Sequence, residues 1–140
     1  MANMSKRSDL ALLLLLFKNL NNRIAGRKRL QKTVCILKYK YGIEFSFMFR
    51  KYFYGPYSYE LQNAIDTLRA AGLIAEEGEL ILPDGYLRYN YELTDEGKAL
   101  ASKIVEKLGE SEIGEQLRIS LASLSDMSTD DMVLLAKRAS

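Results

Sequence analysis

Apolar residues recur at helical spacing through most of the chain, and the polar breaks between them mark where elements end. Leu10 to Phe17 is apolar almost without interruption. This predicts a helix from about Ser8 to Leu20, capped by Ser8 or Asp9, with contacts on more than one side. Such a helix is either a central core helix or a core helix that also meets a second copy of the chain. Asn21, Asn22 and Gly26 form a loop. Leu30, Val34, Leu37 and Tyr41 then repeat at i, i+4, i+7 and i+11, which defines the buried face of a second helix from about Arg27 to Tyr39. Lys28, Lys32, Cys35 and Tyr39 are expected on its opposite face, and Gly42 ends it. Phe45, Phe47 and Phe49 alternate with Ser46, Met48 and Arg50, the period-2 pattern of a strand.

Residues 54 to 97 carry the clearest series of signals. A third helix is expected from Pro56 or Ser58 to Ala71, with Leu61, Ile65 and Leu68 buried and Gly72 as its left-handed stop. Its outward face carries Tyr59, Gln62, Asn63 and Asp66. Glu79 to Leu82 and Tyr86 to Leu93 read as two strands around Pro83-Asp84-Gly85. Leu87, Tyr89, Tyr91 and Leu93 share the expected core side, and Tyr86, Arg88, Asn90 and Glu92 the other. Thr94 caps a fourth helix that runs to about Leu108 before Gly109, with Asp95 and Glu96 favourably placed in its first turn. A fifth helix is expected over Ser111 to Leu124, and Ser128 caps a last one. The order helix, hairpin, helix predicts a mainly α, α+β fold. In particular it predicts a winged helix-turn-helix domain with a small β-sheet, a wing hairpin and extra C-terminal helices. The 140 residues are read as one domain, with a core at about 8–108 and a helical extension at about 109–140.

Composition narrows the chemistry. There is no histidine and a single cysteine, Cys35. This removes a histidine base and an internal disulfide and disfavours a catalytic zinc site. No phosphate-cradling or dinucleotide glycine pattern is present. The expectation is a non-enzymatic protein without catalytic residues, metal or cofactor. Leu10 to Phe17 is too short to span a bilayer, and no small-residue cleavage site follows it. The expected setting is therefore cytoplasmic, with no membrane partner.

Charge is unevenly spread. Net charge is +2, yet residues 1–51 carry +10 and residues 52–140 carry −8. Arg27, Lys28, Arg29 and Lys32 crowd the first turns of the second helix, against the macrodipole. They form either a solvated basic face or a phosphate contact, and Arg50 and Lys51 could join them. On the third helix, Gln62 and Asn63 are suitable readers of adenine, and Tyr59 could stack or touch phosphate. Glu60 and Asp66 on the same helix repel phosphate. Arg88 is the cation of the wing.

Several phrases resemble the YwgA-like family of bacteria and archaea. They are Tyr54-Gly55-Pro56-Tyr57-Ser58-Tyr59-Glu60-Leu61, Gly72-Leu73-Ile74, Tyr91-Glu92-Leu93-Thr94-Asp95-Glu96-Gly97 and Gly26-Arg27-Lys28-Arg29-Leu30-Gln31-Lys32. The chain is similar, too, to the phage-associated Panacea antitoxin domain. The resemblance covers about residues 10–105. It implies an intracellular prokaryotic winged-helix protein, and its antitoxin side implies a domain that holds another protein. The leading expectation is a DNA-binding transcriptional regulator, homodimeric, on double-stranded DNA. Phosphates would be held by Arg27, Lys28, Arg29, Lys32, Arg50 and Lys51. Tyr59, Gln62 and Asn63 would face bases, and Arg88 would extend from the wing. The alternative is a protein-interaction module, antitoxin-like or a subunit of an assembly.

Overall fold

The computed structural model describes the backbone of residues 2–108 and 111–140 and the side chains of residues 8–107 and 111–140. The expected helix stop at Gly109 lies outside these residues. The architecture is mainly helical α+β with small antiparallel sheets, as the sequence pattern predicts. In chain order the elements are α1 (Ala2–Asn19), β1 (Arg23–Ala25), α2 (Arg27–Tyr39), β2 (Arg50–Tyr52), β3 (Gly55–Tyr57), α3 (Tyr59–Ala70), β4 (Ile74–Ile81), β5 (Tyr86–Leu93), α4 (Asp95–Leu108), α5 (Glu112–Leu124) and α6 (Thr129–Ala139).

α1 is buried from Leu12 to Phe17 within its own chain, packed on α4, α5 and α3. This accounts for its all-round apolarity without a second copy. Asp9 does not cap it. Its carboxylate instead accepts from the backbone N–H of Ser46 at 2.9 Å and from the Ser46 hydroxyl. α2 is buried all round from Leu30 to Leu37. The face expected to be exposed is not so throughout: Lys32 and Cys35 are interior. A single stripe of apolar residues cannot reveal that α6 and β3 cover the other side.

The first strand of the three-stranded sheet is β1, inside the segment read as a loop. The sheet order is β1-β5-β4, all antiparallel. Phe45 to Phe49 is not a strand. Burial does alternate there, with Phe45 and Phe47 in the core. Two of its amides, however, bond to carboxylates instead of a neighbouring strand: Ser46 N to Asp9, and Met48 N to Glu60 at 2.7 Å. β4 begins five residues earlier than expected, at Ile74, and pairs with β5 along its whole length. The β4–β5 hairpin therefore projects well beyond the core, and Leu87, expected inside, is exposed.

The phrase Tyr54-Gly55-Pro56-Tyr57-Ser58 has a structural logic. Pro56 lies in β3 and does not begin α3; Ser58 caps the helix and accepts from Leu61 N at 3.1 Å. Its backbone N–H and C=O are both matched by the buried Gln31 amide, at 2.8 and 2.9 Å. Gly55 has φ +103°, a backbone conformation that favours glycine; a Cβ there would only meet Lys32, Val133 and Lys137 at ordinary contact distances. Pro56 and Gly55 are buried against α2 and α6, so the β2–β3 hairpin stands on a fixed base.

Candidate nucleic-acid interface

Ala25 of β1 lies opposite Asn90 of β5, which brings the start of α2 beside Arg88 and Tyr89. Gly26, at φ +106°, turns the chain from strand to helix, and among the described residues no side chain caps the first amides of α2. Three cations follow at once. A cavity of about 350 Å³ opens at this corner, lined by Arg27, Lys28, Arg29 and Arg88, with Tyr86 and Tyr89 on the side of the β4–β5 hairpin and Thr129 and Asp130 at the start of α6. Uncapped helix amides and clustered cations together make a setting that suits an anion.

The cations differ in how free they are. Arg27 donates to the Tyr91 hydroxyl at 2.9 Å and to Glu76 at 3.2 Å, and its guanidinium stacks 4.6 Å from the Tyr89 ring centre. Burial works to lower its pKa, but the bonds to Tyr91 and Glu76 together outweigh that and raise it. Arg29 reaches the Thr129 hydroxyl at 3.3 Å. Arg88 is paired with Glu79 at 2.7 Å, while its Nε is buried with no hydrogen-bond partner among the described residues. Lys28, Arg50 and Lys51 are exposed. Lys32 is only 3% exposed, and its ammonium donates to the Pro56 carbonyl at 2.6 Å. It anchors the hairpin from within and does not face the cavity.

The outward residues of α3 fall into two settings. Gln62 turns toward β5 and contacts the Tyr91 hydroxyl at 3.4 Å and Asp66 at 3.3 Å. It therefore shares the Tyr91 hydroxyl with Arg27. Asn63 lines a separate groove of about 430 Å³, whose walls are Asp9, Leu10, Ser46, Phe47, Met48, Glu60, Ala64 and Thr67. That groove is acidic and apolar and has no lining residue in common with the basic cavity. Tyr59 packs edge-on against Tyr57 and Tyr52 at the foot of the hairpin.

Sequence reasoning missed the hairpin tip. Tyr52 pairs with Gly55, which leaves Phe53 and Tyr54 as the two turn residues, 86% and 70% exposed. Turns of this kind are usually built from small or polar residues. Two large aromatics there are chosen against local preference and serve no packing role in the fold. The legible signal was the run Arg50-Lys51-Tyr52-Phe53-Tyr54, cations followed by three aromatics. Lys28 joins the two features: its Nζ lies 5.9 Å from the Tyr54 ring centre.

A stretch of 79 residues is 40% identical to the uncharacterised protein YwgA of Bacillus subtilis strain 168; it covers 56% of this chain and 46% of YwgA. The match thus spans less than half of YwgA. No protein-family model and no solved structure matches the chain.

Proposed function

We propose that this protein is a winged-helix DNA-binding regulator that grips the phosphate backbone at the start of α2. The observation that carries this reading is the cavity where Arg27, Lys28, Arg29 and Arg88 meet the uncapped helix end. The winged-helix assignment is supported by the element order α1-β1-α2-α3-β4-β5 and the sheet order β1-β5-β4, with the β2–β3 hairpin inserted between α2 and α3. Contacts to phosphate position a protein on DNA without reading sequence, and the acidic groove beside Asn63 makes base readout by α3 a minor contribution. Lys28, Arg29, Arg50 and Lys51 supply the charge; Arg27 and Arg88, already paired with Glu76 and Glu79, shape the cavity wall. Fluorescence anisotropy with a short duplex at low salt tests this. Reversing Lys28 and Arg29 to Glu should weaken binding at least about 10-fold, whereas Asn63→Ala should leave it nearly unchanged. Unchanged affinity in the reversed variant would place the phosphate face elsewhere.

A protein-interaction module is the second reading, and the wing tip favours it. Leu80, Leu82, Tyr86 and Leu87 are all exposed there, an apolar cluster of the kind that marks association sites. If it serves self-association, sedimentation velocity should show a concentration-dependent dimer that Leu82→Asp with Leu87→Asp abolishes. A wild-type monomer at all concentrations would remove the homodimer from this picture.

A further inference from the structure

We infer that the β2–β3 hairpin tip is a stacking platform for an unpaired nucleobase, so that the protein prefers nucleic acid carrying single-stranded or locally opened nucleotides over intact duplex. This rests on the nucleic-acid reading above and goes beyond it by assigning base contact to Phe53 and Tyr54 instead of α3.

Three observations converge. Phe53 and Tyr54 stand at the turn, more exposed than any other aromatic side chains among the described residues, with their rings edge-to-face at 4.9 Å. The tip is set in positive charge. Lys51 and Lys137 line a shallow cavity with Tyr52 and Phe53 that contains no Asp or Glu among the described residues. Lys28 lies over the Tyr54 ring, and Arg50 precedes Lys51 on β2. Finally, the tip is held on a rigid base by the Lys32–Pro56 bond and the Gln31–Ser58 pair.

Aromatic faces flanked by cations suit a strand whose bases are unstacked: each base has a π-face to offer and each phosphate a charge. Stacked bases inside a duplex expose only their edges, so an aromatic tip gains little from them. An acidic protein surface would satisfy the cations but leave the two rings without stacking partners. Lys28 belongs both to the tip and to the anion cavity. One strand can therefore pass from the cavity, where its phosphates are held, to the tip, where a base leaves the stack.

The test uses the full chain. It contains no tryptophan, so Tyr54→Trp provides a single reporter whose emission is quenched when a base stacks on it. Single-stranded DNA and RNA 12-mers, a duplex of equal length and poly-glutamate are titrated separately. Strong quenching by a single strand, and little by duplex or poly-glutamate, is the expected result; whichever of DNA and RNA quenches at the lower concentration identifies the source of the base. Phe53→Ala with Tyr54→Ala should weaken single-strand binding about 10-fold or more and leave duplex affinity unchanged. Circular dichroism should show an unaltered melting temperature, because the tip does not pack in the core. Equal losses for single strand and duplex, or quenching by poly-glutamate, would overturn the stacking role while leaving the phosphate-binding role in place. Absence of binding to every nucleic acid would overturn both.

Discussion

Gly97 is the residue at which helix propensity and tertiary structure make opposite demands. It occupies the first turn of α4, where alanine would ordinarily favour the helix by about 1 kcal/mol. Thr94 draws that turn against the chain leaving α3. Its hydroxyl accepts from Gly97 N at 3.0 Å and donates to Gly72 O at 2.6 Å, and its amide donates to Leu73 O at 3.0 Å. A Cβ on Gly97 would fall far inside contact with the Leu73 carbonyl oxygen and 3.0 Å from its carbonyl carbon. Backbone cannot swing aside as a side chain can, so the start of α4 must withdraw and the two bonds from Thr94 must break or stretch. Overpacking of this kind costs about 1–3 kcal/mol. Two lost hydrogen bonds add roughly 1 kcal/mol each. Against the propensity gain, the expected net loss for Gly97→Ala is about 2–4 kcal/mol. At this chain length that lowers the melting temperature by roughly 6–12 °C. Urea unfolding followed by circular dichroism measures it. Gly78→Ala is the control, since its Cβ would meet only Tyr89 at an ordinary 3.8 Å, and it should shift stability by less than about 0.5 kcal/mol. A Gly97→Ala variant as stable as wild type, or more so, would refute the argument.

Two further predictions follow from interior groups. Lys32 has its pKa lowered, chiefly by burial. The unfolded chain therefore holds this proton more tightly, so the burial penalty applies below the depressed folded value and is relieved as pH rises toward the ordinary 10.5. Stability of wild type relative to Lys32→Met should accordingly increase with pH across the alkaline range, as read by parallel urea melts; a constant difference would argue against a buried ammonium. Cys35 is fully buried, and burial pushes its thiol up to about 11. It should stay unreactive toward a thiol reagent at pH 8 in the native protein and react on unfolding; rapid native labelling would contradict its placement.

Much of the fold was legible because it rests on local signals. The span of α2, the Ser58, Thr94 and Ser128 caps and the turn at Gly85 each follow from a few neighbouring residues. What escaped depends on distant partners. A three-residue strand such as β1 is too short to show a period, and it exists only because β5 pairs with it. The alternation of Phe45 and Phe47 was a true burial signal, but whether a strand forms there depends on Asp9 and Glu60, which occupy two of its amides. Lys32 reads as a surface cation until α6 and β3 cover it. The candidate site divides in the same way. Arg27, Lys28, Arg29 and Arg88 could be named from sequence as cations, but the β1–β5 register is what gathers them around one cavity. Phe53 and Tyr54 read as ordinary aromatics until the hairpin places them at an exposed turn.

The central claim is that cations at the start of α2 and on β2 hold phosphates. The salt dependence of duplex binding tests it most directly. If Lys28, Arg29, Arg50 and Lys51 each neutralise one phosphate, log affinity should fall against log salt with a slope of about −3.6, reduced to about −1.8 in the variant with Lys28 and Arg29 reversed to Glu. No measurable affinity at low salt, or a slope near zero, would contradict it.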